Sequence, residues 1–408
     1  MSDPRQRAAL AKGLVFVGAA TVIGNGAAFL LSMIAARILT PSEFGALGAL
    51  LGLSVIIATV AIATQALTAR RVAVATTDRH DVEGEAVRLS AIVGGLIIAG
   101  GALVSWPLGQ LFTIPTLAVA TGIGSIGFVV FGSAALGIAQ GREQHVRLSW
   151  AFIANQLGRA IGGVIGVVLL ASVVGVGVGV FVGCAVGAFI AYRIICPGTW
   201  YVGVSKGVAV EFAHVVHALF VLFTLTNIDV LLARYFLTAE QSGEYSVGVQ
   251  LAKIAFFLPN AIVIVLFPKM TSGNSKRAVY VAAGLTAALG LFVTGFSFLF
   301  GDFVIRVLGG AQYTELGSEA WLFALEGSAF ALVQVLLYAR LATQDRSAVV
   351  AVWVALAVLV IIVAGWRHGS VAEIVTTVVA VSLVLTVVGL FMDRRHVPNM
   401  PIPVESAE

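Results

Sequence analysis

Four charged side chains stand inside long apolar stretches of this sequence. Two are basic, Arg159 and Lys253, and two are acidic, Asp229 and Glu326. In a membrane span each charge costs about 2.5–3.5 kcal/mol on insertion scales, so such residues are usually kept for binding or pairing. A guanidinium binds phosphate oxygens in a bidentate manner, so Arg159 is a candidate for binding an anion. A buried acid can bind a proton or Na⁺ in one state and release it in another, so both acids are candidates for ion coupling.

Structural roles are the alternative for the same four residues. A long basic side chain can extend to the membrane surface, and an acid can be the partner of a buried cation. Asp229 lies five residues before Arg234, which is not the i,i+4 spacing of a helical ion pair. Both explanations stay open on the sequence alone.

The composition places the chain in a membrane. Only 11% of its 408 residues are charged, against about 25% in soluble domains, and the mean hydropathy is +1.03. The net charge of +4 comes from short loops between apolar runs, so we expect no nucleic-acid partner. Cys184 and Cys196 stand on one predicted helix, about 18 Å apart along its axis, which is too far for a disulfide. No metal-ligand spacing occurs, and we expect neither a metal nor a cofactor.

Twelve stretches are long and apolar enough to cross a bilayer. They cover 13–36, 45–67, 89–111, 117–139, 150–171, 173–194, 210–233, 245–267, 279–300, 317–339, 347–365 and 371–391. Most of the 24 Lys and Arg residues fall in connections on one side, and the other side holds Arg37, Arg234, Arg306 and Arg367. This bias predicts a multi-pass protein of the cell membrane with both termini in the cytoplasm. The longest basic-side connection, Thr68 to Arg88, is expected to be an interfacial helix or a solvated loop.

A passage at the end of the first span recurs almost two hundred residues later. Ala35-Ala36-Arg37-Ile38-Leu39-Thr40-Pro41-Ser42-Glu43-Phe44-Gly45 is echoed by Leu232-Ala233-Arg234-Tyr235-Phe236-Leu237-Thr238-Ala239-Glu240-Gln241-Ser242-Gly243. Chance similarity of two turns is the alternative. The echo and the span count predict an all-α protein of two six-helix lobes related by a parallel repeat, covering 1–200 and 201–395, followed by a cytoplasmic tail at 396–408. Secondary transporters often contain such repeats and bind substrate at the repeat interface.

The same residues carry a family resemblance. Asn25 followed by Ala35–Gly45 resembles the N-terminal signature of polysaccharide and O-antigen flippases, within the multidrug/oligosaccharidyl-lipid/polysaccharide exporter superfamily. The run Asn227-Ile228-Asp229-Val230-Leu231-Leu232-Ala233-Arg234, with Phe257-Leu258-Pro259 and Phe267-Pro268-Lys269 after it, is similar to the start of that family's second lobe. The resemblance implies a MATE-like fold, alternating access around a central cavity, and no enzyme activity. The implied substrate is a lipid-linked oligosaccharide made for the cell envelope, for example for lipopolysaccharide.

Such a substrate carries a pyrophosphate, which suggests roles for particular residues. Arg159 and Lys253 would line the cavity and bind the pyrophosphate. Asn25 and Asn155 would bind sugar hydroxyls, or would tie helices together instead. Glu326 and Asp229 would bind the coupling ion. Arg37 and Arg234 would act at the outer gate.

Two other functions stay open beside the flippase. A multidrug/cation antiporter of the same superfamily would favour acids in its cavity. A membrane-embedded polysaccharide polymerase or ligase would need a large outer loop, whereas the largest one here spans only about Gly301–Gly317. For a flippase, the expected partners are the lipid bilayer and glycosyltransferases or a polymerase that handle the same substrate.

Overall fold

The structure is a computed structural model that describes residues 4–75, 79–196, 203, 206–258, 275–341 and 346–395. Within these ranges the chain forms helices joined by short turns, and it forms no strand. The helices are α1 (Pro4–Ile38), α2 (Pro41–Val74), α3 (Arg79–Phe112), α4 (Thr116–Gly141), α5 (His145–Leu170), α6 (Val173–Ile195), α7 (Lys206–Leu225), α8 (Ile228–Phe236), α9 (Ala239–Phe257), α10 (Ser275–Leu299), α11 (Gly301–Leu308), a 3₁₀ helix (Ala311–Glu319), α12 (Ala320–Leu341), α13 (Arg346–Gly365) and α14 (Val371–Arg395). The predicted tail at 396–408 lies outside the described residues.

The helices fit a protein that crosses a membrane many times. Among the described residues, nine helical segments are long and apolar enough to span a bilayer, and α7 with α8 makes a tenth if the bent pair is one span. The shorter apolar helix α13 and the helix α9 occupy the two remaining predicted positions. The all-α membrane fold predicted from hydropathy is therefore confirmed.

A seam of glycines joins α5 to α6. Gly158, Gly162 and Gly166 on α5 face Gly175, Gly179, Gly183 and Gly187 on α6, and a Cβ at most of these positions would overlap a carbonyl oxygen of the opposite helix. Only hydrogen side chains allow two helix backbones to approach so closely. The turn between them is equally tight, because Ala171 takes a positive φ of 42° and Ser172 caps α6 by accepting a hydrogen bond from the Gly175 N–H at 3.1 Å.

The repeated passages form two similar turns. The side chain of Thr40 caps α2 by accepting from the Glu43 N–H at 3.3 Å, and Thr238 caps α9 through a reciprocal capping box with Gln241. Threonine is a good helix N-cap, and Pro41 suits the first helical position because its missing N–H has no helical partner there. We call the end of the bundle with these two turns the Thr40 end, and the opposite end the Arg142 end.

The connection from Thr68 to Arg88 is almost entirely helix where the structure describes it, and it contains a buried stretch, 83–87, beside exposed residues. Helix α2 continues to Val74 and α3 already begins at Arg79. Glu83 is 1% exposed and accepts from both Nε and Nη2 of Arg142, with an Nε–Oε1 distance of 2.6 Å. The pKa of Arg142 is raised, chiefly by its hydrogen bond with Glu83. Glu83 thus joins α3 to the end of α4 through an internal ion pair, whereas Arg70, Arg79, Asp81 and Arg88 are exposed.

The seventh predicted span, 210–233, is not one straight helix. It breaks at Thr226 and Asn227, and α7 and α8 meet at an angle of 48°. The side chain of Asn227 donates back to the carbonyl of Phe223 at 3.0 Å, which competes with continued helix formation. The break places Asp229 in the first turn of α8, where a negative charge is favoured by the helix dipole.

Candidate functional site

A cavity of about 530 Å³ lies at the centre of the bundle, between the helices α1, α2, α5 and α6 and the helices α8 and α9. Its wall is mainly apolar. Six of its lining residues carry polar side chains: Asn25, Ser32, Arg159, Ser246, Gln250 and Lys253. Among the described lining residues there is no carboxylate.

Two cations reach this cavity from opposite walls. Arg159 stands in the middle of α5, and Lys253 stands on α9, in the other half of the chain. Within the described part of the chain neither forms an ion pair, and their charges lie close enough to repel each other. Two unpaired cations in an apolar cavity form a site that favours an anion with more than one charged oxygen.

The two predicted asparagine ligands separate in the structure. Asn25 on α1 lines the cavity. Asn155 is 4% exposed and packs between α4 and α6, where a Cβ on Gly132 would lie 2.9 Å from its Nδ2. Although Asn155 precedes Arg159 by one helical turn, its side chain turns away from the cavity wall.

The two predicted coupling acids meet in a buried cluster behind α9. Asp229 and Glu326 are 1% and 2% exposed, and their carboxyl groups lie within hydrogen-bond reach of each other. Tyr245 donates to Asp229 Oδ2 at 3.0 Å. Within the described residues, Asp229 Oδ1 and Glu326 Oε2 have no other partner. Two adjacent carboxyl groups do not both ionise without a cation, so a proton shared between them fits this geometry, with Lys253 as the nearest cation.

Arg234 binds the opposite half of the chain at the Thr40 end. It is 6% exposed and donates to the carbonyl oxygens of Phe112 at 2.9 Å, Thr113 at 2.9 Å and Ser42 at 3.1 Å. Further bonds reach the hydroxyls of Thr113 and Ser242. Thr113 has a positive φ of 49°, so the α3–α4 turn is bent tightly around the guanidinium.

Arg37, the counterpart of Arg234 in the repeat, makes the reciprocal contact. Its Nη2 donates to the carbonyl of Val307 at 2.7 Å, and Gln312 donates in the other direction to the carbonyl of Ala36 at 2.6 Å. Each arginine therefore extends from its own half to main-chain oxygens of the other. Unlike Arg234, Arg37 is exposed.

Small residues seal the same end of the cavity. A Cβ on Gly45 would overlap the side chain of Ser242, and one on Gly243 would overlap the carbonyl of Pro41. Farther in, Gly48 packs against Ser246 in the same way. Helices α2 and α9 are thus in backbone contact at the Thr40 end, so the cavity is closed there.

Three polar residues of the cavity were not predicted from the sequence: Ser32, Ser246 and Gln250. Gln250 is the largest of them. Its side chain is 5% exposed, yet neither Nε2 nor Oε1 has a hydrogen-bond partner within the described residues. Leaving such a group unpaired costs about 1–3 kcal/mol. Its position three residues before Lys253 on one helical face is the signal that could have identified it.

The described residues form no metal site, and the remaining sequence features add nothing to the cavity. No group of three or more His, Cys, Asp or Glu side chains in the described ranges could hold a metal ion. Burial raises the pKa of the Cys196 thiol to about 12. The second-lobe motif residues Pro259 and Phe267-Pro268-Lys269 lie outside the described residues.

Comparison with known proteins identifies the family. The sequence model of the polysaccharide biosynthesis protein family matches residues 10–274. The comparison with curated protein sequences gives no match.

Similar solved structures show the fold. An inward-facing multidrug resistance MATE family transporter of the MOP superfamily is 15% identical, with a TM-score of 0.75 over 91% of this chain and 93% of that one. The lipid II flippase MurJ in an inward closed conformation is 11% identical, with a TM-score of 0.74 over 93% of this chain and 87% of that one. A MOP superfamily transporter from Pyrococcus furiosus is 15% identical, with a TM-score of 0.59 over 94% and 95% of the two chains. At these identities the likeness concerns the fold, which is MATE-like as predicted. The chain is a multi-pass membrane protein and belongs to the polysaccharide biosynthesis protein family.

Proposed function

We propose that this protein is a flippase that moves a lipid-linked oligosaccharide, or a related polysaccharide precursor, across the cell membrane by alternating access. The observation that carries the proposal is that Arg159 and Lys253, which form no ion pair within the described residues, line opposite walls of an apolar cavity. The pyrophosphate of such a substrate binds between them, and Asn25 contributes a hydrogen bond to the polar headgroup.

The shape of the cavity suits a headgroup that keeps its lipid in the bilayer. Helices α1 and α9 form two of its walls; within the described residues α1 packs mainly on α5 and α9 packs on α2 and α12, which leaves a gap between α1 and α9 with few contacts across it. The cavity residues that these two helices contribute include Val22, Phe257 and Leu258, and Val22 is 72% exposed. A polyprenyl chain can remain in the hydrocarbon next to this gap while the charged headgroup enters.

Transport requires that the Thr40 end opens. The positive-inside bias favours an orientation with the Arg142 end in the cytoplasm, and in that orientation the closed Thr40 end is the outer one. Arg37 and Arg234 are the gate residues, because their bonds between the halves must break before the headgroup can leave. Separation of α2 from α9 would then expose the cavity to the outer leaflet.

The buried acid pair supplies the coupling. We take Asp229 and Glu326 to hold one proton between them, and Lys253 links them to the cavity through its charge. When the anionic headgroup leaves Lys253, that ammonium becomes free to stabilise the ionised pair, and a proton is released. In this scheme a proton gradient, rather than Na⁺, drives the cycle.

The antiporter alternative receives less support from the same cavity. A carrier for organic cations would place carboxylates on its wall, whereas here the acids stand behind α9 and the wall carries cations. The ligase or polymerase alternative also receives less support. Such an enzyme would need a large outer loop, whereas Gly301–Gly317 consists largely of α11 and the 3₁₀ helix. Glycosyltransferases that assemble the substrate, and a polymerase that uses it, are the partners this function requires.

The test is leaflet exchange in proteoliposomes. Purified full-length protein is reconstituted with a fluorescent polyprenyl-pyrophosphate oligosaccharide, and a membrane-impermeant reagent reports the exposed fraction under an imposed proton or Na⁺ gradient. We expect proton-dependent exchange by the wild type and by Arg193→Met, whose arginine is exposed outside the cavity, but not by Arg159→Met. Absence of exchange in the wild type, together with export of an organic cation, would support the antiporter.

A further inference from the structure

Gly26 is a glycine of α1 that the packing of the described residues does not require. Two residues earlier, a Cβ on Gly24 would lie 2.9 Å from Cγ of Gln156 on α5, so that position has room only for a hydrogen. At Gly26 no atom of the described residues lies within 4 Å of such a Cβ. Among the described glycines a positive φ occurs at Gly310, not at Gly26. Because glycine is less favourable than alanine inside a helix, this glycine calls for a reason other than packing.

Gly26 stands at the edge of the cavity wall that α1 forms. It lines the cavity and is exposed. One helical turn away on one side, Val22 and Phe29 line the cavity as well. One turn away on the other side, Ile23 and Leu30 do not line it, and they are 50% and 57% exposed. The cavity wall and the outer apolar surface of α1 therefore meet at Gly26.

This edge borders the gap between α1 and α9. Successive residues of a helix are turned by about 100°, so Gly26 points almost opposite to Gly24, which packs on α5. Across the gap, α9 and the residue after it contribute Phe257 and Leu258 to the cavity wall, and both side chains are about half exposed. The absence of a side chain at position 26 therefore widens the opening from the cavity towards the bilayer.

The widened edge lies at the depth of the two cations of the cavity. Helices α1 and α5 both run towards the Thr40 end, and Gly24 packs beside Gln156, so Gly26 lies within about 2 Å of the level of Arg159. Counted from the two capping threonines, Gly26 and Lys253 are both about 20 Å from the Thr40 end. An anion between the two cations therefore has the edge at Gly26 beside it.

A pyrophosphate that is attached to a lipid must have its linkage cross this edge. The charged group binds inside the cavity, while the lipid remains in the hydrocarbon of the bilayer. The ester linkage between them then passes through the gap at the level of the cations, where α1 has no side chain. An anion without a lipid occupies the same site and has nothing that must pass the edge.

We propose that Gly26 is a specificity-determining residue that allows an anion to bind in the cavity while its lipid stays in the bilayer. The inference rests on the proposed function, because it takes the pyrophosphate to lie between Arg159 and Lys253. A larger side chain at position 26 fills the open space beside the ester linkage and excludes anions that carry a lipid. Anions without a lipid keep their affinity.

Binding to purified full-length protein in nanodiscs tests this inference. The probes are polyprenyl pyrophosphate, which resides in the bilayer, and methyl pyrophosphate, which is soluble in water and has the same charged group. We expect Gly26→Leu to bind the polyprenyl probe about 10- to 100-fold more weakly than the wild type, because the added side chain overfills the passage. The same variant should bind the methyl probe within about twofold of the wild type. Gly26→Ala adds a single methyl group and should lie between the wild type and Gly26→Leu.

The matched control is Gly18→Leu. Gly18 stands on the same helix with open space around it and does not line the cavity, so this variant should bind both probes like the wild type. Neither leucine variant should lower the melting temperature, because each side chain enters open space. If methyl pyrophosphate binds too weakly to measure, the reaction of Ser32→Cys with a small anionic thiol reagent replaces it. Ser32 lines the cavity, and the two native cysteines are buried.

Three results would overturn the role of Gly26 and leave the anion site intact. Unchanged affinity of Gly26→Leu for the polyprenyl probe would show that the linkage does not pass position 26. A loss in Gly26→Ala as large as in Gly26→Leu would indicate that bending of α1, and not open space, is what the glycine provides. A wild type that binds only the methyl probe would show that no lipid-linked anion enters through the gap.

Two further results have different meanings. Equal losses of both probes in Gly26→Leu would place the effect on the anion itself and would also overturn the inference. If the wild type binds neither probe, the proposed function fails and the role of Gly26 fails with it.

Discussion

Replacing Arg234 with methionine should open the Thr40 end of the protein. The guanidinium is buried and donates to three main-chain carbonyls of the opposite half, those of Phe112, Thr113 and Ser42. Methionine keeps much of the packing of the long side chain and removes every one of these hydrogen bonds. The change acts on the closed state, because the bonds exist only while the two halves are in contact.

The expected size of the effect follows from the number of bonds between the halves. A hydrogen bond contributes about 1 kcal/mol net, since water replaces it when the gate opens. Three bonds together give about 3 kcal/mol, which changes an equilibrium roughly 100-fold. Arg37 makes one such bond, to Val307 at 2.7 Å, and it is exposed, so Arg37→Met should change the equilibrium by no more than about tenfold. Arg37 and Arg234 occupy equivalent positions in the repeat, but Arg234 contributes more to the stability of the closed state.

Distances between the halves report the equilibrium directly. Nitroxide labels at the exposed positions Ile38 and Glu240 would give a short distance in the closed state and a longer one after opening, measured by pulsed electron resonance in nanodiscs. Arg306→Met is the matched control, because Arg306 is an exposed arginine at the same end. Arg234→Lys should lie between the wild type and Arg234→Met, since an ammonium has three donors and a guanidinium five.

The conclusion that Arg234 holds the Thr40 end closed is refuted if Arg234→Met and Arg306→Met give the same distance distribution as the wild type. It is also refuted if Arg37→Met opens the protein more than Arg234→Met does. Either result would assign closure to the contacts of α2 with α9 around Gly45 and Gly243 instead.

Other features of the structure lead to further measurable results. Arg159→Met should weaken binding of a polyprenyl pyrophosphate by about 10- to 100-fold, measured in nanodiscs, because one charged hydrogen-bonding group is lost; unchanged affinity would place the anion elsewhere. Glu326→Gln should abolish the response of leaflet exchange to a proton gradient while exchange without a gradient persists, and a normal response would exclude it from coupling. Gly162→Ala should lower the melting temperature, because its methyl group would overlap an α6 carbonyl, whereas Gly95→Ala, with open space around it, should not. Arg142→Met should cost about 3–5 kcal/mol of stability by leaving a buried carboxylate unpaired, and thermal unfolding that matches the wild type would contradict this.

Hydropathy predicts the fold of this chain well because membrane spans are recognised from local composition. The repeated turn at Ala35–Gly45 also has a local signature, since Thr40 is a good helix N-cap and Pro41 suits the first helical position. The helix break at Asn227 was not predicted, because it has no local sequence signature. Nothing in the apolar run 210–233 marks where the helix ends, and only the side chain of Asn227 bonding back to Phe223 terminates it.

The site is less predictable than the fold, because its contacts join distant parts of the chain. Arg159 and Lys253 could be predicted as cavity residues because they are charges in apolar stretches. Asn155, on the same helix as Arg159, was an equally plausible candidate, but its side chain points away from the cavity. Gln250 resembles any polar residue within a span until its partners are known. The burial of Glu83 was likewise hidden, since the charges around it suggest a surface loop and Arg142 lies on another helix.

The acceptors that hold Arg234 are mostly backbone atoms, and this has a consequence for how the gate tolerates sequence change. A carbonyl oxygen is present whatever side chain stands at 42, 112 or 113, so a saturation mutagenesis screen should find those positions permissive unless the backbone itself is bent. Thr113 is the exception, because its positive φ favours glycine or asparagine over bulky residues. Almost all intolerance should fall on the arginine. A genetic search for the gate would therefore recover one partner of the interaction, and compensating changes in the other half would be rare.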